Sequence, residues 1–539
     1  VSTYDTRDGR HALSSTSRTG LAQQSSIYIP GCPPWKAGIN FSDEADDKGT
    51  LDEKTPLERL CLYNAEDCVR TAQVAGYQQA ELAEADERTH LIYRQMRRLS
   101  RVASEMSRKG FPFDRSQQKK LRVELTKTFE REKQVFKRML GKHSPAFRIS
   151  DKGGLNESDF RALLFKDFAK PGIRSFDLTV PLSDKSWTDS GAPSVDRQAL
   201  LTLFSQPNTP PEVQELIRQA WRVDAPLKLR STYIDSEKVE QGIGPDGRMH
   251  ARINSCGPET YRWSCSKPNL FNLSEAKDED ALQGDLPNVR SQYVADPGHV
   301  IVHRDFKQLE LEVMAEYTGD ALLRKMLDSG DVHVARVREW FKVPPEVDVP
   351  PALRKGGKYV GFSSQYGAGL ETVWITVLAQ WQGAKFEEIA SLWQLFRDSH
   401  VGIRSHWQTS TEFAERNGYN EAPIMGYRRY YPQGFAFKPT ECSNYAIQSG
   451  AAAIANCTMV GNGSEASYRK SLHYRLKKEF PRAYLMMHVY DSFDVHCRKE
   501  VAEEVNQLVD ECMSGPWAIG SNARRYRSDG KIGQLWSEV

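Results

Sequence analysis

The spacing of apolar side chains changes character several times along the chain. The first sixty positions show little periodicity, are rich in Ser, Gly and Pro with an acidic patch at 42–47, and predict loops with at most short elements. From 57 to about 140, apolar residues recur at helical intervals with Arg and Lys between them, which predicts long helices that stop at Lys109-Gly110-Phe111-Pro112. Residues 150–210 are broken by Gly and Pro; 213–240 reads as helix again and ends in a Gly-rich turn at 242–247. Strands begin near His250. The run 299–303 predicts a buried strand leading to Asp305, followed by an intermittent helical pattern from Gln308 to Arg416. Residues 425–439 read as strand and turn, and 441–460 as a long apolar helix. Last come two strands, 484–490 and 493–497, about a tight turn at Asp491-Ser492.

Composition narrows the class. At 539 residues the chain has room for roughly two to four compact units. Hydrophobic residues at 39% and charged residues at 27% exclude a disordered, collagen-like or membrane-spanning protein, so no membrane partner is expected. Lys+Arg 73 against Asp+Glu 71 leaves a net charge of +2, so any nucleic-acid site must be found in local clusters rather than in the total. Nine cysteines without a C-x-x-C pair argue against disulfides and structural zinc. A reducing compartment fits: the cytoplasm of a bacterial or phage-infected cell, with an organellar location left open. Residue 1 is Val, so a native start is expected upstream.

Asp305 and Asp491 each sit at a strand end, where short carboxylates can be held rigidly at a sheet surface. Paired carboxylates suit a hard cation such as Mg²⁺, which is gripped by few protein oxygens plus substrate phosphates. Taken singly, each also reads as an ordinary turn former or cap. Between them Arg354, Lys358, Phe362 and Tyr366 recur every four residues and share one helical face, two cations followed by two aromatics. That order suits a nucleotide, with cations on the triphosphate and rings against sugar and base. The plain alternative is a core helix whose cations face solvent, but Gly356, Gly357 and Gly361 make it a costly one.

From about Thr55 to the C-terminus the chain resembles the family A DNA polymerases, the group of bacterial polymerase I and its phage and mitochondrial relatives. Asp305-Phe-Lys-Gln308-Leu-Glu310-Leu311 is similar to the family's Asp-Tyr-Ser-Gln-Ile-Glu-Leu, the 354–366 stripe to its nucleotide-binding fingers helix, and Val489-Tyr490-Asp491-Ser492 to Val-His-Asp-Glu. The resemblance implies an α/β (α+β) right hand. Its parts are a thumb at 89–255, a palm at 256–315 and 425–539, fingers at 316–424, and a partial exonuclease-like segment at 1–88. It implies DNA-directed DNA synthesis on primer-template DNA with dNTPs. Two Mg²⁺ ions, for which Mn²⁺ can substitute, would be held by Asp305, Asp491 and the carbonyl of Phe306.

By the same resemblance Lys358 donates a proton to the leaving group, and Arg354, Lys358, His333 and Arg290 meet the triphosphate. Gln308, Phe362 and Tyr366 line the nucleotide site, Phe362 disfavouring dideoxynucleotides, and Glu310 blocks a ribose 2′-hydroxyl. Arg262, Asn269, Asn272, Lys228, Asn444, Gln448 and Tyr490 are implied as DNA contacts. Four departures stand out: Ser492 for Glu, Tyr490 for His, Glu312 where Arg is common, and Thr440 where a template-contacting Arg is common.

Tyr63 and Asp67 resemble the Tyr-x-x-x-Asp motif of the family's 3′–5′ exonuclease, preceded by Pro34-Trp35-Lys36 as in phage relatives. The first two exonuclease motifs find no room ahead of it. Proofreading by this polypeptide alone is therefore not expected, and a second chain carrying those motifs, or a processivity factor, is a candidate partner. Two alternatives stay open: a single-subunit RNA polymerase, whose His-Asp-Ser is similar to Tyr490-Asp491-Ser492, and a catalytically silent DNA-binding subunit of a split polymerase.

Overall fold

The computed structural model describes residues 6–13, 21–29 and 57–539, less the short stretches 142–143, 151–153, 181–186, 189, 207, 256, 274–285, 379–380, 382–383, 432–433, 435–436 and 520–521. The Pro34-Trp35-Lys36 segment and the acidic patch at 42–47 lie outside the described residues.

The N-terminal half is helical. Helices Thr6–Leu13 and Leu21–Tyr28 lie on Leu57–Ala83, and no strand occurs among the described residues of 1–88. The expected break near 110 is built from local chemistry. Glu87–Lys109 starts on Asp86, whose carboxylate accepts from Thr89 N at 2.8 Å. It ends where Gly110 takes φ 66 ahead of Phe111-Pro112, and Asp114 then caps Arg115–Leu140 by accepting from Ser116 N at 2.7 Å. Helix Pro211–Tyr233 pairs with Arg115–Leu140. No helix among the described residues is long and apolar enough to cross a membrane.

At the centre lies a four-stranded antiparallel sheet in the order Tyr484–Val489, Ser492–Arg498, His299–Phe306, Ser528–Gly533. Successive side chains of a strand point to opposite faces. Arg304 points to one face, where it reaches Asn506 at 2.8 Å and Asp510 at 2.5 Å on helix Ala502–Ser514. His303 and Asp305 therefore point to the other. The strand Ser528–Gly533 carries no expectation from its sequence, which alternates poorly and holds two glycines.

The hairpin turn is Tyr490-Asp491 rather than Asp491-Ser492. Val489 pairs with Ser492, and Ser492 is already extended, opposite Asp305. Tyr490 supplies the left-handed conformation that a two-residue turn needs, at φ 58. Among the described residues of 425–439, only Arg428–Tyr430 is strand, paired with Tyr419–Glu421. The long apolar helix is Pro439–Val460, buried along most of its length through the middle of the molecule.

Among the described residues two large apolar cores hold the chain, beside a small third cluster of Ala414, Tyr431 and Cys442. The larger runs from Met96 and Leu99 through the sheet to Val360 and Phe396. The second gathers Phe129, Phe136, Phe160, Phe204 and Trp221, and also takes in Ile375 and Leu378 from helix Leu370–Leu378. Trp374 Nε1 donates to the Ser205 carbonyl at 3.2 Å across that junction.

Candidate active site

Register brings the two expected carboxylates together. Asp305 is next to last in its strand, Asp491 follows Tyr490 in the adjoining turn, and Phe306 N donates to the Asp491 carbonyl at 3.3 Å. The side chains interact directly. Burial pushes the Asp491 carboxyl above the usual carboxylate range, while its hydrogen bond with Asp305 and the charges of Arg262 and His303 hold it back. His303 is itself paired with Asp494 at 2.7 Å, and Trp536 Nε1 donates to the other Asp494 oxygen at 3.2 Å.

Ser492, where the family pattern has Glu, is buried and donates to the Val489 carbonyl at 3.1 Å. Its own carbonyl accepts from His488 Nδ1 at 2.8 Å. The His488 ring lies edge-on to Trp263 at 5.1 Å and stacked on Phe493 at 4.8 Å, and burial pushes its pKa down to about 4. A neutral imidazole thus braces the turn from below.

Helix Pro351–Ser364 presents Arg354, Lys358 and Phe362 on one face; Tyr366 lies beyond its end, in the turn that Gly367 closes at φ 83. The glycines occupy the opposite face. A Cβ at Gly357 would stand 2.8 Å from Val337 Cγ2 and 3.1 Å from the His333 carbonyl, and one at Gly356 2.7 Å from the Trp381 ring. Gly357 thus reflects close packing on helix Val332–Phe341, and Gly356 close packing on the Trp381 ring.

Arg354 pairs with Asp331 at 2.7 Å, and the same carboxylate caps Val332–Phe341 by accepting from His333 N at 2.9 Å and Val334 N at 3.1 Å. Lys358 is half-buried, its amine 5.3 Å from the Tyr359 ring. Phe362 is exposed and tilted against His333 at 5.5 Å. Burial, with the nearby Arg336, pushes the His333 pKa down to about 4, so it is neutral, and its buried Nδ1 has no hydrogen-bond partner. His333 therefore offers a hydrogen bond rather than the positive charge expected of it. Gln308 starts helix Leu309–Thr318 in the left-handed region, at φ 55.

Glu310 is held from two sides. Tyr366 Oη donates to its Oε2 at 2.5 Å, and Arg262 pairs with its Oε1. Burial pushes the Tyr366 hydroxyl up to about 12. Arg262 also lies 5.3 Å over the ring of Tyr490, which is exposed.

Arg290 is engaged by Leu273 and Trp536. It is buried, its Nε and Nη2 donate to the Leu273 carbonyl at 3.0 and 2.7 Å, and its guanidinium covers Trp536 at 4.6 Å. These contacts fix its orientation but do not themselves cancel its positive charge, since a carbonyl and a ring carry no net charge. Glu312 is consumed internally, paired with Arg324, which holds Asp328 at 2.8 Å as well.

Among the expected DNA contacts, Lys228 and Asn272 are exposed, and Asn269 caps a short turn by accepting from Phe271 N at 3.1 Å. Asn444 and Gln448 are half-buried on one face of Pro439–Val460, the Asn444 Oδ1 without a partner. Tyr63 and Asp67 lie one turn apart on Leu57–Ala83 and bond to each other; burial and that bond push the Tyr63 hydroxyl up to about 12.

The donor set at the sheet end is all oxygen, two carboxylates beside the Phe306 carbonyl, which fits a hard divalent cation. No cluster of three or more His, Cys, Asp or Glu among the described residues is arranged to hold a metal. Further ligands would be carbonyl, water and phosphate oxygens.

Residues 119–538 match the sequence profile of DNA polymerase family A. The chain is 27% identical over 446 residues to the thermostable DNA polymerase I of Thermus aquaticus, covering 81% of this chain and 47% of that protein. It is 28% identical over 318 residues to DNA polymerase I of Chloroflexus aurantiacus, covering 56% of this chain and 31% of that protein. It thus spans less than half the length of these curated relatives. Among solved structures, the POL domain of Pol1 from M. smegmatis, in complex with DNA primer-template and dNTP, aligns with a TM-score of 0.73 at 21% identity. The alignment covers 99% of this chain and 82% of that one, and the right-hand α/β polymerase fold is shared. With the paired carboxylates, the glycine-backed cationic helix and the profile match falling in one continuous stretch, the chain belongs to DNA polymerase family A.

Proposed function

We propose that the chain is a DNA-directed DNA polymerase that extends a primer 3′-hydroxyl with dNTPs, as in DNA replication. The observation that carries this reading is the meeting of Asp305 and Asp491 at adjoining strand ends, within the stretch that matches family A. The division into thumb 89–255, palm 256–315 and 425–539, fingers 316–424 and exonuclease-like segment 1–88 is part of the proposal. So is a second chain carrying the missing exonuclease motifs, or a processivity factor.

Asp305, Asp491 and the Phe306 carbonyl would hold two Mg²⁺ ions, which when bound sharpen the attacking hydroxyl and stabilise the leaving oxygen. Lys358, which pairs with no carboxylate among the described residues, takes the triphosphate and gives a proton to pyrophosphate as it leaves. Arg354 shares its charge between Asp331 and the phosphates. His333 directs an unpaired nitrogen to them as a hydrogen-bond partner. Phe362 shields the sugar from water, Tyr366 flanks the insertion position, Gln308 borders it, and Glu310 excludes a 2′-hydroxyl. Lys228, Asn269, Asn272, Asn444, Gln448 and Tyr490 face the duplex.

Primer extension by the wild type and Asp491→Asn in parallel, with dNTPs and with rNTPs, tests the reading. Extension with dNTPs that disappears in the variant supports it. Preferred extension with rNTPs would make the chain an RNA polymerase, and duplex binding without extension a silent subunit.

A further inference from the structure

We propose that Arg262 is a positioning residue for sugar selection: its guanidinium fixes the Glu310 carboxylate from the palm side, and that ion pair sets where the sugar gate stands. The inference rests on the polymerase reading above. It replaces the minor-groove role that resemblance implies for Arg262.

A carboxylate at the start of a helix has several rotamers, and it excludes a hydroxyl only if one of them is enforced. Here both oxygens of Glu310 are claimed, Oε1 by Arg262 and Oε2 by Tyr366 at 2.5 Å. The two partners are not equivalent. Tyr366 hangs from the turn that follows the proposed fingers helix, so it moves when that helix moves. Arg262 and Glu310 both belong to the proposed palm segment 256–315.

Its backbone is anchored on both sides. Tyr261 is buried and stacked on Tyr427 at 3.8 Å, and Trp263 is buried with its Nε1 donating to Asn456 Oδ1 at 2.9 Å. The same Asn456 gives its Nδ2 to the Tyr261 carbonyl at 3.2 Å. One amide of helix Pro439–Val460 thus holds the residues before and after Arg262. The guanidinium, screened by the Tyr490 ring, also acts on Asp491. A single cation therefore ties the gate to the carboxylate pair, and its charge is spent before any phosphate arrives.

The test measures kcat/KM for a dNTP and the matching rNTP, with primer-template Kd, in the wild type, Arg262→Met, Arg262→Lys, Glu310→Gln and the Arg262→Met/Glu310→Gln pair. Arg262→Met is expected to lower dNTP-over-rNTP selectivity about tenfold, the order of one desolvated ion pair, through the KM for the rNTP. Arg262→Lys restores part of it. The double variant loses no more than Glu310→Gln alone, because both changes break one interaction. Unchanged selectivity with a raised Kd, or additive losses in the double variant, overturns the proposal and returns Arg262 to the duplex. If Arg262→Met is poorly folded by thermal denaturation, the Lys variant and Glu310→Gln decide by the same ratio. A wild type that extends with neither nucleotide refutes the polymerase reading itself, and this inference with it.

Discussion

Gly361 stands where the guanidinium of Arg336 passes: a Cβ built on it would overlap Arg336 Nη1, the atom that donates to the Gly357 carbonyl at 3.0 Å. Two effects oppose each other at this position. Helix propensity favours Ala over Gly by about 1 kcal/mol. Arg336 is only 1% exposed, however, and lies 5.6 Å from the Phe396 ring, so it has nowhere to retreat. Overpacking and a displaced buried cation cost on the order of 3 kcal/mol. Gly361→Ala is therefore expected to lower the midpoint of thermal unfolding, and a raised midpoint would mean that propensity wins.

Asp491→Asn should separate stability from activity. Burial disfavours the charged form of Asp491, and the hydrogen bond with Asp305 and the charges of Arg262 and His303 offset only part of that, so in the absence of divalent cation its ionisation costs the fold stability at neutral pH. Replacing one carboxylate by an isosteric amide relieves that cost. The metal-free variant is expected to melt at or above the wild type and to lose the stabilisation that added Mg²⁺ gives the wild type. A variant that melts clearly lower would show the carboxylate pair to be a structural asset.

How much of this was legible before the structure depends on whether the deciding neighbour was local. Asp305 and Asp491 could be found because strand patterns place a residue at a strand end, and pairing then does the rest. Tyr366 kept its four-residue spacing yet left the helix, since Gly367 takes a left-handed conformation just beyond. Nothing in Val-Arg-Ser tells that Trp536, hundreds of residues later, covers the Arg290 guanidinium. The strand Ser528–Gly533 was hidden for a related reason. Its glycines and charges suit an edge beside Asp305 but give no alternation to read.

Acid should unfold the protein through histidines held neutral. His488 and His333 are both buried, and burial pushes each from an ordinary 6.5 to about 4. A base with a lowered folded-state pKa binds fewer protons folded than unfolded between those two values. Stability is then present in full above pH 6.5 and is lost as pH falls toward 4, by up to about 3 kcal/mol for each site. Urea midpoints measured across that window should fall with pH. His488→Gln, which keeps a polar group near the Ser492 carbonyl, should flatten the fall, and an unchanged slope would acquit His488.

The junction between the second core and helix Leu370–Leu378 is small: one indole hydrogen bond from Trp374 to Ser205, with Ile375 and Leu378 against the Phe204 cluster. It joins the proposed thumb to the proposed fingers, the two walls between which a duplex would pass. A contact of this size is worth about 1–2 kcal/mol, enough to keep most free molecules closed yet weak enough to open. Apparent association slows by the fraction of molecules that are open, so removing the contact should raise that fraction and with it the rate. Trp374→Ala is expected to speed primer-template association up to about tenfold in stopped-flow fluorescence, because a tenfold change in population corresponds to 1.4 kcal/mol. An unchanged rate would mean that the duplex enters without opening this junction.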